Sequence, residues 1–186
     1  SLLSSDGAVE LELKVEILPQ PDDLTCGPTC LHAIYRYFGD DLPLDRVIQE
    51  VPQLETGGTL AVHLACHALR LGYDATIYTY NLQVFDPTWF HPGRYDLAER
   101  LAAQKAVKDS PRLHLSTDAY LEYLGLGGEV RFEDLTTSLI RRYLVHGGRA
   151  PGLHRRGGRQ VQCLCRRYHQ RRRGRLHGRR TPPPDQ

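Results

Sequence analysis

Apolar and charged residues alternate strictly over residues 9–17, V-E-L-E-L-K-V-E-I, which predicts a strand with one buried face. The period then changes. From Cys26 onward, Leu31, Ile34, Tyr35 and Phe38 recur at helical spacing, and Gly39 predicts the stop. Residues 44–51 read as a short helix behind Pro43, and residues 60–71 as a second amphipathic helix closed by Gly72, with a Thr56-Gly-Gly loop between them. A short β-rich strand is predicted over 75–80, and a long aromatic loop over 81–93. Helical patterning returns at 95–108, 117–124 and 132–145. Residues 1–8 are small and polar and are expected to be disordered. There is no internal repeat.

Beyond residue 146 neither period survives. Gly, Arg, Gln, His and Pro dominate residues 147–186, too few apolar groups to offset the entropy of ordering them, so a disordered Arg-rich tail is expected. Charge divides at the same place. The overall +2 hides −9 up to His146 and +11 after it, where twelve arginines face one acid, Asp185. Such asymmetry ordinarily marks a basic arm for nucleic acid or a membrane surface.

Composition narrows the picture further. A chain of 186 residues suits one domain with a real core. No apolar run is long enough for a bilayer, and the start lacks the pattern of a secretory signal. With no methionine anywhere, the chain is expected to begin after its initiator. Five cysteines, an odd number without a signal peptide, point to free thiols, a reducing compartment and a cytoplasmic location.

The chemistry is densest in Q-P-D-D-L-T-C-G-P-T-C-L, from Gln20 to Leu31. A cysteine opening a helix faces unpaired backbone N–H groups and the positive end of the helix dipole, both of which favour a thiolate. Gly27 would let a substrate backbone come close, and Pro28 suits a first turn that needs no N–H. A carboxamide from the preceding loop, Gln20, could join the backbone N–H of Cys26 in stabilising an acyl oxyanion. The plainer reading makes Cys26 a buried apolar thiol and Gln20 a surface residue. Cys26 and Cys30 as a C-x-x-x-C pair could be a redox couple or half a metal site, but four-residue helical spacing more often means packing on one face, so Cys30, and Cys66 likewise, read as core positions.

This segment resembles the nucleophile segment of C39-type peptidases, which carry a glutamine six residues before a cysteine, then glycine, with the cysteine opening a long apolar helix. The resemblance continues more weakly into G-G-T-L-A-V-H-L-A-C-H-A-L-R-L-G-Y, residues 57–73, and covers roughly residues 10–146, with only the first motif specific. It implies an α+β, papain-like cysteine peptidase fold: an N-terminal helical half bearing Cys26, and a C-terminal sheet half largely missing here. It implies a hydrolase of peptide or amide bonds acting through a Cys26 thioester, with Gln20 in the oxyanion hole. The substrate would be a peptide or protein, and no cofactor or metal is implied.

A cysteine peptidase also needs a histidine base and a group to orient it. In the family these lie well downstream, in a Gly-His-Phe/Tyr-like strand and a following Asp, and nothing of that form stands after His146. His32 sits on the nucleophile helix, pointing away from Cys26. His63 and His67 lie one turn apart, but no third ligand is spaced to make a metal site with them, and they read as a polar helix face. His91 and His114 read as loop residues, and Asp86-Pro87 comes too early to be the family's Asp-Pro. The loop over 84–90 reads as a groove wall or, more commonly for aromatic loops, as core. The chain as it stands is therefore expected to be inactive.

The tail admits a reading in another frame. Shifted by one base, residues 149–165 permit V-P-P-V-F-T-G-V-A-V-D-K-Y-S-A-Y-A, a strand-like run of ordinary composition. It resembles the strand that follows the last helix in relatives of this sequence. A slipped coding frame near Gly147 and Gly148 is thus one expectation; an uninterrupted gene sequence, confirmed by tail peptides, would refute it. Otherwise the tail is a natural arm holding phosphates non-specifically and with steep salt dependence. In that case Cys163, Cys165, His169 and His177 match no standard zinc spacing. A catalytically dead C39-like domain that binds peptides is a further alternative.

Overall fold

A computed structural model describes residues 15–91, 93, 95–134, 136–145 and 160–164. Its centre is β1 (Asp74–Thr79), buried from Ala75 to Thr79, so both faces of the strand are covered. A strand covered on both faces loses the one-in, one-out alternation, and here Thr76 and Thr79 are buried along with Ala75, Ile77 and Tyr78. β2 (Glu129–Phe132) and β3 (Gln160–Leu164) pair with it on either side, giving the order β2-β1-β3. Both pairings are parallel, with Ile77 opposite Val130 on one edge and Cys163 on the other.

Parallel neighbours need crossovers, and helices supply them. Between β1 and β2 run a 3-10 turn (Pro87–Phe90), α4 (Leu97–Val107) and α5 (Pro111–Gly125); α6 (Thr137–Val145) lies between β2 and β3. Ahead of the sheet come α1 (Cys26–Tyr37), α2 (Leu44–Glu50) and α3 (Ala61–Arg70). The architecture is a mixture of helices with a small parallel sheet, compatible with the expected α+β class.

α3 packs on both β1 and α5, while α1 packs on α2 and α3. Tyr35, Ile77, Leu101 and Tyr123 are fully buried at these junctions, each burial contributing roughly 1.5–3 kcal/mol. α1 and α3 stop as their glycines predict. Gly39 (φ 85°) and Gly72 (φ 83°) take the left-handed conformation, and the next residues, Asp40 and Tyr73, donate back to Tyr35 O and Ala68 O. The side chains of Tyr73 and Asp40 then hydrogen-bond, joining the two helix ends. At the end of α5 the Tyr123 hydroxyl donates to Ala75 O (2.6 Å) and accepts from Glu129 N (3.0 Å). A Cβ on Gly128 would lie 2.3 Å from the Tyr123 ring, so glycine is required there by packing.

Three expectations change. The strand over 9–17 falls mostly outside the described residues, and positions 15–17 carry no strand. Val15 and Ile17 are exposed, because no neighbouring strand covers them among the described residues. The tail over 147–186 is not structureless throughout, since Gln160–Leu164 pairs with β1; the rest of it lies outside the described residues, apart from that strand. The helix expected over 132–145 starts later, at Thr137, and Phe132 instead ends β2, whose Val130 joins the apolar cluster around β1. No helix among the described residues is long and apolar enough to cross a membrane.

Candidate functional site

Cys26 is the first residue of α1, and the turn that delivers it is built by Asp22. Its Oδ1 accepts from Leu24 N (2.8 Å), and its carbonyl accepts from Thr25 Oγ1 (3.2 Å). Thr25 is buried and stands at the N-cap position, but its hydroxyl is committed to Asp22 and no side chain caps α1. Thr29 anchors the first turn instead, donating to Thr25 O from both its amide (3.0 Å) and its hydroxyl (2.8 Å). The result is an uncapped helix start carrying an exposed thiol.

The floor of this turn comes from the segment before α3. A Cβ on Gly27 would meet Leu64 Cδ1 at 3.3 Å and Thr59 Cβ at 3.6 Å, so the glycine permits α1 to sit close to the start of α3. That is a different reason from substrate approach: the open side of Gly27 is filled by the protein itself. Gly57 (φ 88°) presses on Leu24, whose Cδ2 would be 2.7 Å from an added Cβ. The Thr59 hydroxyl is buried beside this junction with no hydrogen-bond partner among the described residues. Thr59 escaped the sequence reading, because only the packing of two helices brings it next to Gly27.

Gln20 lies six residues earlier, exposed, in the irregular segment leading to the turn. An ion pair between Glu16 and Arg36 (3.0 Å) lays that segment along α1. Among the described residues, no hydrogen bond joins Gln20 to Cys26 or either of them to a histidine.

Each described histidine is accounted for elsewhere. His32 is buried; its Nε2–H donates to Leu42 O (2.9 Å), and Nδ1 has no partner among the described residues. His67, expected on a polar face, is only 3% exposed. Its Nδ1 accepts from the Tyr35 hydroxyl (2.8 Å) and its Nε2–H donates to Glu50 Oε2 (3.0 Å), so one imidazole ties α1, α2 and α3 together. Arg46, and after it His67, hold the Glu50 carboxyl below its ordinary range through hydrogen bonds. His63 is half-buried on α3, and that burial lowers its pKa. His114 donates to Lys108 O (2.6 Å), and His91 is exposed. His146, His154, His169 and His177 lie outside the described residues.

The thiols separate sharply. Cys66 is buried, as expected; its Sγ lies 3.9 Å from Ala119 O, and burial pushes its pKa up to about 11. Cys30 is not core. It is exposed, on the same side of α1 as Cys26, because four residues make slightly more than one helical turn.

Asp86 is a local device rather than a catalytic acid. Its carboxylate caps the 3-10 turn, accepting from the Thr88 amide (2.8 Å) and hydroxyl (2.7 Å), and these bonds lower its pKa. The aromatic loop does both things that its sequence allowed. Val84 and Phe85 join the core, while Pro87 and Trp89 wall a groove of about 590 Å³ against Arg100 and Val107 of α4. Neither Cys26 nor Gln20 lines that groove. No group of three or more metal-ligating side chains occurs among the described residues. Comparison with protein-family models, with curated proteins and with solved structures finds no significant match to this chain.

Proposed function

We propose that this chain is a papain-like, C39-like cysteine peptidase domain whose nucleophile is Cys26 and which does not turn over as it stands. The observation that carries the reading is the exposed Cys26 thiol at the first position of an uncapped twelve-residue helix. Unpaired amides at that end favour the thiolate and offer a donor to a developing oxyanion. In the reaction the thiolate attacks the carbonyl of a peptide or related amide. The carbonyl electrons pass to oxygen, where the Cys26 amide and the Gln20 carboxamide would receive them. Collapse expels the amine, which must take a proton, and leaves a thioester for water to cleave. No described histidine bonds to Cys26 to give or take that proton.

The test is iodoacetamide labelling at neutral pH, followed by peptide mass spectrometry. Cys30 is an internal control, equally an exposed thiol on the same helix but beyond its first turn. Cys26 is expected to react about tenfold faster than Cys30, in line with the thiolate enrichment of helix-start cysteines. Equal rates at the two positions would remove the reading.

A further inference from the structure

We propose that Cys26 and Cys30 together form a dithiol site for a soft monovalent ion of the copper(I) class. The inference is independent of whether Cys26 acylates. Both thiols are exposed and free, and they stand four residues apart on one helix. At that spacing the two Cβ atoms are about 5–6 Å apart on one face. Two metal–thiolate bonds of about 2.3 Å span roughly 4.6 Å between sulfurs, within reach by staggered χ1 rotation alone. A direct disulfide fits less well, since it needs the Cβ atoms near 4 Å and would have to unwind the first turn.

The surroundings select the kind of ion. Thiolates prefer soft ions, and zinc would want four donors. Among the described residues no third His, Cys, Asp or Glu joins these two sulfurs to make a metal-holding group. The nearby Asp22 carboxylate is already engaged by the Leu24 amide. Two sulfurs, with no further ligand among the described residues, match the linear, two-coordinate habit of copper(I). Binding is a substitution without electron transfer: two thiols lose their protons, two Cu–S bonds form, and a dithiolate complex of net charge −1 remains. Nothing is oxidised. The free amides at the start of α1 stabilise that negative charge.

The test must separate this pair from Cys163 and Cys165, which lie two residues apart elsewhere in the chain. The full chain carrying Cys163→Ser and Cys165→Ser is titrated with copper(I) against a chromogenic chelator, and separately with phenylarsine oxide, which reports paired thiols. One equivalent of each is expected to bind, with release of two protons per copper(I). Cys26→Ser or Cys30→Ser, added singly, should each weaken binding by about 100-fold or more, because capture by two tethered groups becomes capture by one. Circular dichroism confirms folding, and Cys26→Ala and Cys30→Ala serve as second variants. Binding lost on removing Cys163 and Cys165, or unaffected by either single change on α1, would overturn the proposal.

Discussion

The two ends of α1 carry polar side chains in opposite conditions. At the C-terminal end, Tyr35, His67 and Glu50 spend every exchangeable proton on one another, and the imidazole is almost fully buried. At the N-terminal end, the Cys26 thiol is exposed and the helix start has no side-chain cap. Both ends hold residue types that enzymes use. Only one holds them in a state to act, because a group whose hydrogen bonds are all satisfied in the interior stabilises a fold, and an unsatisfied group at the surface remains available. The His67 cluster looks like a catalytic triad on paper. It is the joint between three helices.

Breaking the joint should cost most. His67→Ala removes both of its hydrogen bonds and the imidazole that packs between the three helices, and we expect a loss of about 2–4 kcal/mol in denaturant unfolding. Tyr35→Phe leaves Nδ1 of His67 without its donor and should cost about 1–3 kcal/mol. At the other end the effects shrink. Gly27→Ala forces Leu64 to yield a few tenths of an ångström, and about 1 kcal/mol is expected, the side chain being able to shift. Cys26→Ala should change stability by less than about 0.5 kcal/mol. If it cost as much as His67→Ala, Cys26 would be part of the fold and the contrast would collapse.

The smallest effect is in pH. The Glu50 carboxyl is held below the ordinary carboxylate range, chiefly by its hydrogen bond from Arg46 and then by that from His67. A depressed folded-state pKa means that the carboxylate's contribution is fully present above the unfolded value and fades as pH falls through the lower folded one. Glu50→Gln should therefore flatten the acid limb of the stability curve below about pH 4.5 relative to the parent chain. Identical acid limbs would show that Glu50 does not feel its partners.

Much of the first half was legible from pattern alone. The helix start at Cys26 and the turn at Gly39 follow from apolar spacing and from a glycine at the left-handed position, and α3 with Gly72 repeats the same logic. For α5 the apolar spacing marks only 117–124, whereas the helix begins at Pro111, behind a Ser110 cap whose hydroxyl accepts from Leu113 N (3.4 Å). Serine followed by proline is a start signal that apolar periodicity alone passes over. β3 carried no signal at all: Gln-Val-Gln-Cys-Leu stands among arginines, and what makes it a strand is the free edge of β1.

Cys30 teaches a narrower lesson. Its exposure follows from the spacing once Cys26 is known to be exposed, since residues i and i+4 share a face. His67 allowed no such deduction. Its partners stand 32 and 17 residues away in the chain.

Sequence by itself determined the local decisions: where α1 and α3 begin and end, which cysteine opens a helix, and where the charge reverses. These depend on a residue and its near neighbours, through backbone conformation, capping and spacing. Tertiary structure alone decided which histidine is buried and satisfied, why residue 27 is glycine, and which segments flank β1. Those outcomes depend on pairs far apart in the chain, and their energy appears only when the packing brings the partners within a hydrogen bond or a van der Waals contact.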